Sequence, residues 1–129
     1  MKRLIVDVRP GGYTVARLAA DAPVPTGLID HPGLVSVTRT PDELSVICPT
    51  EIAPPCDTTQ TGWRLLTVRG PLEFTLTGIM AALSGELASA GVSLFALSTY
   101  DTDHLLVKES DLARAVLALR DAGHEVTNP

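Results

Sequence analysis

Apolar and polar positions alternate along residues 2–9 (KRLIVDVR), the period of a half-buried strand. Pro10-Gly11-Gly12 is turn chemistry, and residues 13–18 (YTVARL) alternate again, so the pattern predicts a hairpin. Residues 21–33 hold Pro23, Pro25 and Pro32 with Gly27 and Gly33, which leaves little helix potential. Strands are predicted over 34–39 (LVSVTR) and 43–48 (ELSVIC), joined by the turn residues Thr40-Pro41-Asp42. Residues 53–62 are polar, proline-bearing and without period, and read as a linker.

From Trp63 onward the pattern becomes more regular. A strand is predicted over 63–68, then a helix over 74–90. In that helix Leu76, Ile79, Met80, Leu83, Leu87 and Ala90 recur at helical spacing, and Gly91 follows it. Strands follow over 92–98 (VSLFALS) and 103–108 (DHLLVK). Ser110 and Asp111 can cap a second helix that carries Leu112, Val116, Leu117 and Leu119, and Gly123 ends it. A short edge strand is predicted at 124–126. The order β-α-β-β-α-β predicts an α+β fold of the ferredoxin-like kind, with both helices on one face of an antiparallel sheet.

The two halves match each other. Residues 37–52 align with residues 97–112 at an offset of 60, each a strand, a Thr-bearing turn, a strand and a helix start with an acidic residue. Residues 13–18 align with 63–68 at an offset of 50. The sequence therefore divides into two βαββαβ modules, 1–61 and 62–129, the first with its first helix cut down. A lone module of this size is marginally stable, and two together bury more surface.

Apolar residues make up 45% of the 129-residue chain, enough for a core and against disorder. The net charge is -5 and the ten basic residues are scattered, with Lys2-Arg3 the one adjacent pair. That argues against nucleic acid, which needs clustered Lys and Arg. No run approaches the ~20 apolar residues of a membrane helix, and no signal peptide is visible, so a cytoplasmic location is expected. Cys48 and Cys56 lack metal-ligand spacing and are expected to be reduced thiols.

Two segments could carry chemistry. Thr67-Val68-Arg69-Gly70-Pro71-Leu72-Glu73-Phe74 leads from a strand into a helix, where glycine admits close backbone approach and the helix start offers N–H groups to a carboxylate. It also reads as an ordinary connecting loop. Ser98-Thr99-Tyr100-Asp101-Thr102-Asp103-His104 is a polar cluster whose carboxylates and hydroxyls suit an amino group, and it also reads as a solvated hairpin turn. A metal site on Asp101, Asp103 and His104 lacks a remote ligand, and neighbouring strand residues point to opposite faces. No metal or cofactor is therefore expected. His31 and His124 read as surface or packing residues, and Met80 as core. The chain has no G-x-S-x-G, P-loop or H-E-x-x-H.

Residues 63–123 resemble the ACT domains of CASTOR-type arginine sensors and of small bacterial ACT proteins. Gly78-Ile79, residues 88–91 and above all residues 92–107 (VSLFALSTYDTDHLLV) carry the likeness; residues 34–52 resemble the preceding ACT module more weakly. The resemblance implies tandem ACT-like modules and an amino-acid-binding, regulatory, non-catalytic protein. It also implies that ACT modules pair side by side around the ligand. The sensors carry four modules and this chain two, so a homodimer would restore the four. A further protein partner would receive the signal. The resemblance places Ser93 and Leu94 of one module at the ligand's carboxylate and Glu73, Phe74 and Leu76 of the facing module near its amino end. It places Thr99, Tyr100, Asp101, Thr102 and Asp103 over its side chain, Asp103 foremost. The sequence departs from the arginine sensors at Leu76, where they carry an acidic residue, so an amino acid is implied without fixing it as arginine.

Two other readings stand beside this one. An acylphosphatase-like hydrolase would share the fold and use Arg69 and Gly70, but it also needs an Asn to position water, and the chain's one Asn is Asn128. A ligand-free dimerisation module would leave the polar cluster without a partner.

Overall fold

The computed structural model of the chain describes residues 3–72 and 78–128. Among them run β1 (Ile5–Val8), β2 (Tyr13–Leu18), β3 (Ser36–Arg39), β4 (Leu44–Pro49), β5 (Thr58–Val68), α1 (Ile79–Ser89), β6 (Leu94–Ser98), β7 (Asp103–Lys108), α2 (Leu112–Asp121) and β8 (Glu125–Thr127). The chain makes two compact units, one of Gly11–Trp63 and one of Met1–Pro10 with Arg64–Pro129.

In the Gly11–Trp63 unit the strand order is β3-β4-β2-β5, with residues 58–60 and 63 of β5 supplying the last strand, and all pairs are antiparallel. Single 3-10 turns at Leu28–Asp30 and Thr50–Ile52 stand where the other unit has helices. The helix start expected near residue 50 is thus one turn only. Pro54 and Pro55 follow within five residues and stop it from extending. The expected linker is shorter too: from Thr58 the chain is strand, with Thr59 opposite Ala16 and Gln60 opposite Val15. Its exposed polar residues hide the alternation, while Thr58, Thr59 and Thr61 favour extended backbone.

Without helices this unit has a small core. Ala16, Leu28, Val46 and Cys48 are buried, with Leu18, Val35, Val37, Ile52, Ala53 and Cys56 packed around them. Polar clamps hold the proline-rich segment. Arg39 donates to the carbonyls of Ala20 and Ala22. His31 accepts the Gly33 N–H at Nδ1 (2.8 Å), so its Nε2 carries the proton that faces Glu51 (2.8 Å). Both cysteines are free thiols, and burial pushes the Cys48 thiol upward, away from reactivity.

The second unit has the order β6-β7-β5-β1-β8, with residues 64–68 of β5 at its centre. β1 lies antiparallel to β5 (Val6 opposite Val68) and parallel to β8 (Val6 opposite Val126). The hairpin expected between residues 2–9 and 13–18 does not form. The reason is burial: Val6 and Val8 alternate inward to a core that only this unit's helices complete. There they join Leu66, Val68, Leu105, Val107 and Val126 against Leu83, Leu87, Ala115, Val116 and Leu119. Each fully buried Leu or Val contributes about 1.5–3 kcal/mol of apolar transfer.

His124 is not a surface residue. It is 5% exposed; its Nδ1 accepts the Leu4 N–H (3.1 Å) and its Nε2 meets the Glu86 carboxylate (3.0 Å). One ring thereby ties the approach to β1, helix α1 and the start of β8. Asp111 stands at the α2 cap position but makes no capping bond; its carboxylate pairs with Arg114 (3.6 Å). No helix among the described residues is long and apolar enough to cross a membrane.

Candidate functional site

The two polar segments meet. β6 and β7 run antiparallel with Ser98 opposite Asp103, and residues 99–102 close the turn between them. The Thr99 N–H donates to the Thr102 carbonyl (2.9 Å), and the Ser98 hydroxyl donates to Asp103 Oδ1 (2.5 Å). The loop after β5 is sewn to this turn. Leu72 N–H donates to the Asp101 carbonyl (2.6 Å), and the Thr102 hydroxyl donates to the Val68 carbonyl (2.5 Å). Gly70 sits so close that an added Cβ would stand 3.0 Å from the Asp101 carbonyl oxygen and 3.1 Å from Thr102 Cβ. The glycine is needed for close approach. Gly70→Ala is expected to destabilise the protein by about 1–3 kcal/mol, as overpacking does. Urea denaturation checks it, and an unchanged midpoint would mean that loop and turn are not locked together.

Between turn and helix lies a cleft of about 260 Å³, lined by Leu72, Gly78, Ile79, Met80 and residues 98–103. Gly78 precedes α1 at φ 78°, and no side chain among the described residues caps the helix. The first N–H groups of α1, at Ile79 and Met80, therefore have no partner within the helix, and they carry the positive end of its dipole. Across the cleft stand Asp101 and Asp103. A carboxylate accepts up to about four hydrogen bonds; among the described residues Asp103 takes one side-chain bond, from Ser98, which leaves it capacity for a ligand. No basic side chain lines the cleft among the described residues. Leu72, Ile79 and Met80 supply its apolar wall.

Thr99, Tyr100, Asp101, Thr102 and Asp103, singled out from the sequence, all line this cleft. Ser93 and Leu94 do not. Leu94 pairs with Val107 at the far end of β6 and packs on the core. Glu73, Phe74 and Leu76 lie outside the described residues. Sequence reasoning missed Ile79 and Met80 as lining, and gave Leu72 no role beyond its place in the candidate loop. Helical spacing marks Ile79 and Met80 as core, and both do pack on the core; only their place in the first turn of α1 also sets them at the cleft.

Arg69 is outside the cleft. Its guanidinium makes a two-point bond to Asp7 on β1 (3.0 and 2.6 Å), which holds the Asp7 carboxyl below the usual carboxylate range. The arginine on which a hydrolase reading depends is thus occupied by an ion pair.

Comparison with known proteins finds relatives for both parts of the chain. An ACT domain family model matches residues 58–121, and a separate model, of an N-terminal domain, matches residues 11–55. A solved protein from Agobacterium tumefaciens is 36% identical with a TM-score of 0.89, over 98% of this chain and 93% of that one. The Homo sapiens protein named cytosolic arginine sensor for mTORC1 subunit 1 is 37% identical over 59 residues, 45% of this chain. The matched stretch spans only 18% of the sensor's length. Aspartate kinase from Synechocystis shares the fold, with a TM-score of 0.64 at 16% identity over 96% of this chain and 27% of the enzyme.

Proposed function

Residues 58–121 match the ACT domain, and from that premise we propose that the chain binds a free amino acid in the cleft between the 99–102 turn and the start of α1, acting as a regulatory sensor rather than a catalyst. One observation carries the reading: the cleft has opposite polarity at its two sides. Helix N–H groups at Ile79 and Met80 suit an α-carboxylate, and Asp101 and Asp103 suit an α-ammonium group. The arginine sensor's name supplies the ligand class.

A homodimer completes the proposal. Ser93 and Leu94 of a second copy would approach the ligand from the facing side. The protein would work in the cytoplasm, without a cofactor, and pass its signal to a protein partner. The hydrolase alternative is disfavoured by the Arg69–Asp7 pair.

Thermal unfolding with each of the twenty amino acids tests the reading. A ligand at 100 times its Kd is expected to stabilise the fold by about 2.7 kcal/mol. No shift with any of the twenty would overturn it.

A further inference from the structure

His104 stands behind the turn, half-buried and outside the cleft lining. On β7 it lies opposite Leu97, on the sheet face away from Ser98 and Asp103. Its Nδ1 is 3.1 Å from the Thr67 hydroxyl and its Nε2 is 3.1 Å from the Thr99 hydroxyl. Thr99 Oγ1 donates its single proton to the Thr102 carbonyl (3.2 Å), because a carbonyl only accepts. Towards the ring Thr99 must then accept, so Nε2 carries the proton and Nδ1 accepts from Thr67. The result is a one-way chain from Thr67 through His104 and Thr99 to the Thr102 carbonyl, and it needs a neutral ring.

We infer that His104 is a positioning residue for the cleft: its neutral ring fixes the turn through Thr99, and a second proton on the ring reverses the Thr67 bond and loosens the turn that carries Asp101 and Asp103, so that ligand is held at neutral pH and released in acid. The inference rests on the cleft being an amino-acid site. Among the described residues two charged groups act on the ring: Asp103 beside it on β7, which favours the cation, and Arg9 after β1, which opposes it. Thr67 on β5 and Leu97 on β6 face it without charge. Burial is the largest influence and lowers the ring's pKa from its ordinary 6.5. The neutral chain is therefore complete above pH 6.5 and is lost as pH falls through the lowered value. In the cation the Thr67 bond is reversed, and the ring's charge offsets part of the Asp103 field that would hold the ligand's ammonium.

Nuclear magnetic resonance of the ligand-free protein from pH 7.5 to 5 tests the device itself. The His104 ring is expected as the Nε2–H tautomer, with a midpoint below 6.5, and the amides of Thr99 to Thr102 are expected to move with that midpoint. In His104→Gln the amide side chain can accept from Thr67 and donate to Thr99 without titrating, so those amides should stay still across the range. In His104→Phe both bonds are gone and the same amides should be displaced already at pH 7.5. An Nδ1–H tautomer, or turn amides that ignore the ring, would overturn the inference whether or not any ligand binds. Calorimetry with the twenty L-amino acids is the second arm. The wild type is expected to bind its amino acid about three- to tenfold more weakly at pH 5.5 than at 7.5, and His104→Gln to lose that dependence. Equal pH dependence in both proteins would overturn the link to binding. Absence of binding at pH 7.5, with ring and amides still titrating together, would instead overturn the amino-acid reading.

Discussion

Asp103→Asn is expected to weaken amino-acid binding by about ten- to a hundredfold, since a hydrogen bond to a charged group contributes about 1.5–3 kcal/mol. The substitution is chosen for what it keeps. Asparagine retains a carbonyl oxygen to accept the Ser98 hydroxyl, so the β6–β7 register and the turn should persist. What it removes is the negative charge, the feature that would distinguish an ammonium group from a neutral donor. Calorimetric titration with the amino acid that stabilises the wild type measures the loss, and the unfolding midpoint without ligand serves as control. Unchanged affinity would place the ligand's amino end elsewhere. Asp103→Ala separates a binding protein from an empty dimerisation module: it abolishes ligand stabilisation in the first and changes little in the second.

The largest effect on stability is expected at Leu105. It is 0% exposed in β7, opposite Ala96, and belongs to the core beneath α1 and α2. Leu105→Ala should destabilise the protein by about 2–5 kcal/mol, because the surrounding side chains only partly close the cavity left behind. Urea denaturation should show a lower midpoint with an unchanged slope. Leu117→Ala is the matched comparison on α2: Leu117 is 60% exposed, and its loss should stay within about 0.5 kcal/mol. A small effect at Leu105 would mean that this core tolerates the void.

What the residues alone reveal differs between the units. β7 was legible to the residue, since DHLLVK begins at a polar turn and ends at Lys108. The strand and helix order from residue 63 onward was legible as well, because Leu83 and Leu87 in α1, and Val116 and Leu119 in α2, stand at the spacing of a buried helix face. The partner of β1 was not. Alternation at Val6 and Val8 says which side chains turn inward, and it is silent on which strand lies alongside. Proximity in sequence favoured β2; burial under helices more than 70 residues onward decided for β5 and β8. The turn half of the cleft was legible because polar residues between two apolar strands are conspicuous. The helix half was not, since Ile79 and Met80 serve core and cleft at once, and the bond from Leu72 to Asp101 leaves no mark in composition. Histidine roles were hidden for a similar reason: His124 is defined by Leu4, 120 residues away.

That separation bears on the order of events during synthesis. Of the described strands β1 is made first, yet its neighbours are residues 66–68 and 125–127. The Gly11–Trp63 unit has all its strand partners once residue 63 is made. The unit that carries the cleft must wait until residue 127 has emerged, holding Val6 and Val8 without their final cover meanwhile. Contacts so distant along the chain slow folding far more than they weaken the folded state. The nascent protein is thus expected to shelter one half early and to complete its cleft-bearing half last, with β1 held in waiting for its distant neighbours.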